Sequence, residues 1–376
     1  MKSAIRIQSA LRGAPPQSLP PTGRCVDRTR RRTRRPIVVA FALLAAALVT
    51  SGCGTSSTKQ ATAGSASSGS HVTHYPVTIR DCHGSTTYTK APSRIATLDD
   101  EVTDTLVAMG LTDKIVGVTK FETPSQEWPK DAATVAKLHT LAIQQNYPSL
   151  ETILARNADF VISAYPSAFS KAYGPATPAR WQSLGVKPYQ TVMDCGLYSN
   201  KPQYDFHLMY QDIHNLGVIF NRQDDAAKLI QRLQGRVAAA QAKAKAAGLG
   251  NYRIGQANGM TQSPGTMGVT TNNAIISQAG STYAFVKQDT NPNVSMSWEQ
   301  VVKDNPQVFW LLTDSGKSVA QMRHVLESNP QLRSVDAIQH HRYVPISYFS
   351  VGGVRAVDGV EQLVNGLIAL KHSGNL

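Results

Sequence analysis

The sequence is poor in cysteine and has no apolar run long enough to cross a bilayer. Four cysteines among 376 residues are too few for the disulfide-dense scaffolds that replace a core with bridges. The longest apolar run, IVVAFALLAAALV at 37–49, falls short of the ~20 residues of a membrane-spanning helix. Catalytic signatures are missing too. The chain has no H-E-x-x-H and no G-x-S-x-G, and no G-x-G-x-x-G follows the first strand of either half. SGKS at 315–318 imitates the end of a phosphate-binding loop, but that pattern requires Gly at 311, where this chain has Leu311. Zinc proteolysis, nucleophile-elbow hydrolysis and P-loop chemistry therefore lack their residues, and nothing in the chain asks for an enzyme.

Positive charge is abundant but confined to one end. With 38 Lys and Arg against 25 Asp and Glu, the net charge of +13 suits a nucleic-acid binder. Residues 1–52 contain ten of those bases and one acid, Asp27, which leaves 28 and 24, a net +4, for the rest. The nucleic-acid reading falls away. RTRRRTRRP followed by the 37–49 run reads as a signal peptide. The run closes in TSGC, where Gly52 before Cys53 resembles the bacterial lipobox, although Thr50 occupies the place of the usual Leu. Residues 1–53 are thus expected to be a lipoprotein signal peptide with Cys53 lipidated, the alternative being ordinary cleavage without lipid. Residues 54–74, rich in Ser, Thr, Gly and Ala, cannot offset their ordering entropy and read as a flexible tether. The expected location is the extracytoplasmic face of the cell membrane, held by lipid alone.

Cys25 lies in the leader and Cys53 is the lipid site, which leaves Cys82 and Cys195. Outside the cytoplasm these two are expected to form one disulfide, the alternative being two separate buried thiols.

The roughly 300 remaining residues suffice for two domains. SRIATL (93–98) and KIVGVT (114–119) read as strands on either side of the helix EVTDTLVAMG (101–110). SLETILAR, with Ser149 as N-cap, precedes the strand DFVIS, and PARWQSLG precedes VKPYQTV. The second half repeats the plan: YRIGQA (252–257), the short helix NNAIISQAG (272–280), SWEQVVKDN before the strand QVFWLLT, then QLRSVDAIQ before RYVPIS. Trp310 is assigned to the core. Short apolar strands alternating with helices indicate parallel sheets covered on both faces, an α/β class of two Rossmann-like lobes. Between them, residues 221–248 carry Ala226, Leu229, Ile230, Leu233, Val237 and Ala240 on one face without a proline, which predicts a long bridging helix. The expected boundaries are an N-terminal lobe over 75–220, the bridging helix over 221–248 and a C-terminal lobe over 249–376.

One sentence is written twice. SLETILARNADFVIS (149–163) aligns without a gap to SWEQVVKDNPQVFWL (297–311), matching Ser149 to Ser297, Glu151 to Glu299 and Asn157 to Asn305. Alone, either Glu would serve the positive end of its own helix.

The duplicated S-x-E helices, the long connecting helix, the lipobox-like start, APSRIATLDDEVTDTLVAMGLTDKIVGV and the late GGVRAVDGVEQL together resemble the solute-binding proteins of ABC importers for ferric siderophores and cobalamin. The resemblance covers about residues 75–370. It implies a monomeric receptor with a ligand cleft between its lobes and two surface carboxylates, Glu151 and Glu299, that dock on a permease dimer served by an ATPase.

Open α/β sheets bind ligands beyond the carboxyl ends of their strands. The loops there, 99–101, 120–122, 145–147, 164–169, 258–260, 313–315 and 347–355, supply Phe121, Tyr147, Tyr165, Phe169, Met260, Tyr348, Phe349 and Arg355. Aromatic walls suit a bulky chelate or corrinoid. Arg355 is the leading polar contact for an anionic siderophore, with a local pair to Asp358 as the alternative. A ferric siderophore is the expected ligand; cobalamin, haem or another bulky cofactor is the alternative. No resident cofactor or metal is expected. A receptor for a bare transition metal is a further alternative, but His139, His207, His214, His340 and His341 show no converging ligand spacing.

Overall fold

The computed structural model describes residues 72–120, 132–143, 147–195, 205–258, 271–285, 297–313 and 318–376. The signal peptide, Cys53, the tether up to residue 71, Phe121 and Met260 lie outside the described residues. All described residues belong to one compact unit.

The described chain opens on an antiparallel hairpin, β1 (Val77–Asp81) and β2 (Gly84–Tyr88), turning at Gly84 with φ +115°. The first lobe then alternates strands and helices: β3 (Ile95–Thr97), α1 (Asp100–Ala108), β4 (Ile115–Lys120), α2 (Ala132–Val135), β5 (Thr140–Ile143), α3 (Leu150–Leu154), β6 (Phe160–Ser163), α4 (Pro178–Ser183) and β7 (Lys187–Gln190). Their five strands form a parallel sheet in the order β5-β4-β3-β6-β7. β3 and β6 are buried at every position, as parallel strands covered on both faces must be.

Two helices leave this lobe. α5 (Phe206–Phe220) ends at Asn221 in the left-handed conformation, φ 55°, and α6 (Gln223–Ala246) follows at once. At ~1.5 Å per residue, the 24 residues of α6 make a strut of roughly 36 Å. Its face of Ala226, Leu229, Leu233, Val237, Ala240 and Ala244 is buried.

The second lobe comprises β8 (Arg253–Asn258), α7 (Thr271–Gln278), β9 (Thr282–Tyr283), α8 (Trp298–Asp304), β10 (Val308–Thr313), α9 (Val319–Glu327), α10 (Asp336–Gln339), β11 (Tyr343–Ser347) and α11 (Ala356–His372). Its parallel sheet runs β11-β10-β8-β9. Read from the other edge, that order repeats β4-β3-β6-β7 of the first lobe. Val308 to Leu312, Trp310 among them, are fully buried, and each such large side chain contributes roughly 1.5–3 kcal/mol.

The duplicated sentence takes the same shape in both lobes. Ser149 and Ser297 accept the backbone N–H of Thr152 and Gln300 as N-caps, and Asn157 and Asn305 turn left-handed at φ 52° and 44°. Cys82, just past β1, is bridged to Cys195 beyond β7, with their Cα atoms 5.2 Å apart. The bridge fastens the hairpin to the first lobe.

Candidate ligand cleft and exposed carboxylates

The carboxyl end of β3 delivers the acidic triplet Asp99–Asp100–Glu101. Asp99 caps α1: its Oδ1 accepts the Val102 N–H at 3.1 Å, and its Oδ2 accepts the Ser163 hydroxyl at 2.7 Å and the Ala164 N–H at 2.8 Å. One buried carboxyl thereby ties the end of β3 to the end of β6. Burial, with help from Asp100, pushes it up to about 6 against the three hydrogen bonds.

Glu101 accepts the Tyr165 hydroxyl at 2.7 Å. Burial first, then the charges of Asp194, Asp100 and Asp99, hold its carboxyl well above the usual range. Tyr348 of the second lobe reaches the same place and hydrogen-bonds Tyr165; burial raises both phenols. Gly352 and Gly353 press on α1 from the second lobe. A Cβ at Gly352 would collide with the Glu101 carboxyl, and one at Gly353, whose φ is +51°, would stand 2.9 Å from the Glu101 carbonyl oxygen. Only glycine permits this approach.

Arg355 is 1 % exposed. Its Nη2 donates to Asp100 Oδ2, and its Nε lies 2.6 Å from Asp104 Oδ2. Asp100 and Asp104 are four apart on α1, so one helix face presents both carboxylates to one guanidinium. This corrects two expectations. Arg355 is engaged by the first lobe instead of standing ready for an anionic ligand, and its partner is not Asp358, which pairs with Arg236 of the strut.

Behind Glu101 lies a small cavity of about 20 Å³, bounded by Met193, Asp194, Met209, Asp212 and Gly353 among others. Asp212 accepts Tyr189 Oη–H at 2.6 Å and the N–H groups of Val192 and Met193 at 2.7 and 3.0 Å. Asp194 accepts the Thr191 hydroxyl at 3.0 Å. Burial pushes each of these two carboxyls up to about 7. Among the described residues no cation pairs with Asp99, Asp194 or Asp212, while the Arg355 guanidinium feels the charge of Glu101. Among the described residues this floor therefore offers carboxyls and phenols, with Arg355 held by Asp100 and Asp104.

Of the residues expected at the cleft, the structure brings Tyr165, Tyr348 and Arg355 together around Glu101. Tyr147 sets its hydroxyl 2.7 Å from Ser167 Oγ, two residues past Tyr165. Phe169 is corrected to a core residue. The 3-10 turn Pro166–Phe169 carries it inward, where it is 3 % exposed and packs edge-on against His83 at 5.0 Å. The triplet at 99–101 was singled out as a loop, but Asp104, Asp194 and Asp212 were missed. The available signal was an acid at i+4 from Asp100 on a helix whose first turn already holds two acids.

His139, His207, His214, His340 and His341 are all exposed. Among the described residues no three His, Cys, Asp or Glu gather where they could hold a metal ion. His340 and His341 lie beside Asp336 and Glu327.

Away from the junction, Glu151 and Glu299 are fully exposed in the first turns of α3 and α8. Each is held below the usual carboxylate range by its own backbone N–H and by the Ser hydroxyl of its cap.

Known proteins share this architecture. YvrC of Bacillus subtilis, an uncharacterized ABC transporter substrate-binding lipoprotein, is 25% identical over 343 residues, covering 87% of this chain and 95% of its own. An ABC-type Fe3+-hydroxamate transport system structure from Saccharomonospora viridis superposes with a TM-score of 0.63 at 20% identity, covering 78% of this chain and 99% of that one. The periplasmic heme-binding protein RhuT from Roseiflexus gives 0.56 at 21%, covering 74% and 98%. At these identities the two structures speak for the fold alone. The profile of the periplasmic binding protein family matches residues 95–346, and the chain belongs to that family of two-lobed binding proteins, which are not enzymes.

Proposed function

We propose that this protein is the lipid-anchored receptor of an ABC importer, capturing a ferric siderophore between its lobes and passing it to a permease dimer driven by an ATPase. Family membership and the likeness to YvrC support the transporter role. Cys53 would carry the anchor, and Glu151 and Glu299 would meet one permease subunit each.

One observation carries the ligand class. Arg355 is engaged by Asp100 and Asp104, and among the described residues the other groups at the junction are the Glu101 carboxyl, which burial raises, and the hydroxyls of Tyr165 and Tyr348. Such a floor favours a neutral or cationic ferric chelate and disfavours an anionic one. That the Saccharomonospora relative is named for Fe3+-hydroxamate transport agrees with this reading. A haem-type ligand is the second reading, favoured by the likeness to RhuT and the paired tyrosines.

The test is tryptophan-fluorescence titration of the purified protein with a cationic ferric trihydroxamate, an anionic ferric tris-catecholate, haem and cyanocobalamin. Saturable quenching by the trihydroxamate, about tenfold or more tighter than by the catecholate, is expected. Tighter catecholate binding would overturn the charge argument, and preference for haem or the corrinoid would overturn the siderophore.

A further inference from the structure

The helices that bear Glu151 and Glu299 are too short to hold a direction by themselves. α3 has five residues and α8 has seven, below the ~12–15 at which even a favourable isolated helix persists in water. Something outside each helix must aim it.

The same device does so in both lobes. Arg94, the residue before β3, sets its Nε 3.1 Å from the carbonyl oxygens of Arg156 and Asn157, and its Nη2 2.7 Å from that of Arg156. Arg253, the first residue of β8, sets its Nη2 3.0 Å from the carbonyl oxygen of Asn305. Asn157 and Asn305 are the left-handed residues of the turns that follow the two S-x-E helices, Asn305 as the C-cap of α8 and Asn157 two residues past the C-cap of α3.

The bracket continues two residues further on. Asp159 accepts the Arg94 N–H at 2.8 Å, while Gln307 accepts the Arg253 N–H at 3.0 Å through its Oε1. The backbone N–H groups of Asp159 and Gln307 donate back to the carbonyls of Arg94 and Arg253 at 2.9 and 2.8 Å. The sequence separations differ, 63 residues from Arg94 to Asn157 against 52 from Arg253 to Asn305, so the equivalence is spatial, the first lobe having α2 and β5 in between.

Carbonyls at a helix C-terminus lack internal partners and carry the negative end of the helix dipole. A guanidinium there satisfies the carbonyls and matches the charge. Both arginines are exposed, so their bonds add little to global stability. What they fix is local direction.

We propose that Arg94 and Arg253 are positioning residues for docking: each locks the C-terminal end of one short helix and so pre-aims the carboxylate at its other end. The proposal rests on the reading of Glu151 and Glu299 as permease contacts. Pre-organising them removes ordering cost from association.

The test uses the full-length lipoprotein and the detergent-solubilised permease–ATPase complex of its own transporter, with binding followed by surface plasmon resonance. Arg94→Met and Arg253→Met keep the aliphatic stem and remove the donors. Each is expected to weaken docking about tenfold and to speed hydrogen exchange in its own helix, 150–157 or 298–305, while the other helix and the melting temperature stay as they were. Lys at either place, which can still donate to a carbonyl, should recover part of both effects. Faster exchange with unchanged docking would overturn the proposal. So would weakened docking with unchanged exchange, since the arginines would then touch the permease themselves. If a Met variant lost its fold, Gln at the same position would carry the comparison. Glu151→Arg with Glu299→Arg separates the two readings: undiminished docking there overturns the docking role itself, whereas loss there beside intact docking of the Met variants overturns only the arginines' part.

Discussion

Arg355 and Asp104 meet across the lobe boundary with Nε 2.6 Å from Oδ2, and both side chains are almost wholly out of water. With Asp100 they form a buried cluster of one cation and two anions that joins the loop before α11 to α1. Burial makes such a cluster costly to assemble and more costly to break in half.

Arg355→Met should therefore lower the unfolding free energy by about 3–5 kcal/mol, because it strands two buried carboxylates. The triple variant Arg355→Met, Asp100→Asn, Asp104→Asn should recover most of that loss. Urea denaturation of the three proteins checks the order. Equal stability of the single variant and the parent would show that the cluster is not a structural tie.

The pH dependence follows from the buried acids. Asp194 and Asp212 sit at about 7 and Asp99 at about 6, all above the ordinary 3.8. The folded protein thus holds these protons more tightly than the unfolded chain. Their contribution is fully present below about pH 4 and is lost as pH rises to about 7. Asp194→Asn should cost little at pH 5 and stabilise at pH 8 by about 1–2 kcal/mol, less than the full linkage value since Asn is an imperfect isostere. Thermal melts at both pH values decide it, and a variant destabilised equally at the two would refute the sign.

Removing the bridge from Cys82 to Cys195, which are 113 residues apart, should cost about 4–5 kcal/mol in the chain-entropy description. Urea midpoints of Cys82→Ser with Cys195→Ser against the oxidised parent measure this. Thiol titration of the denatured, unreduced parent after signal cleavage should find neither of these cysteines free.

The two left-handed asparagines should respond differently to glycine. Asn157→Gly should be nearly neutral, since glycine adopts positive φ freely. Asn305→Gly should cost about 1 kcal/mol, because Asn305 Oδ1 also accepts the Asp336 N–H at 2.8 Å. Chemical denaturation of both variants gives the comparison.

Much of the architecture was legible because it is local or repeated. Ser149 and Ser297 announce helix starts, the buried runs FVIS and VFWLL announce parallel strands, and the 148-residue echo announces two similar lobes. The hairpin β1–β2 was not read, although VTIRD and STTY flank a His-Gly turn, because its partly exposed strands lack a strong apolar alternation. The candidate site was less legible. Arg355 and Asp100 are 255 residues apart, and no periodicity reports a contact at that separation. Phe169 misled for a related reason: a strand-end aromatic can face a cleft or, one 3-10 turn later, the core. Arg94 and Arg253 escaped notice because their offset differs from that of the helices they hold.

The strut has a mechanical consequence. Over its C-terminal half α6 is fastened to the second lobe, with Arg236 on Asp358 and Glu361 and Lys243 on Asn365, and just past its end Lys371 reaches back to Gly248. α6 also packs on α5, so the strut is held by both lobes. The elbow between α5 and α6 is Asn221–Arg222, and Thr73 is bonded to Asn221, Val218 and Gln223 around it. A single threonine, at the start of the described chain, thus sits on the elbow and pins the leading end of the fold to both helices that leave the first lobe.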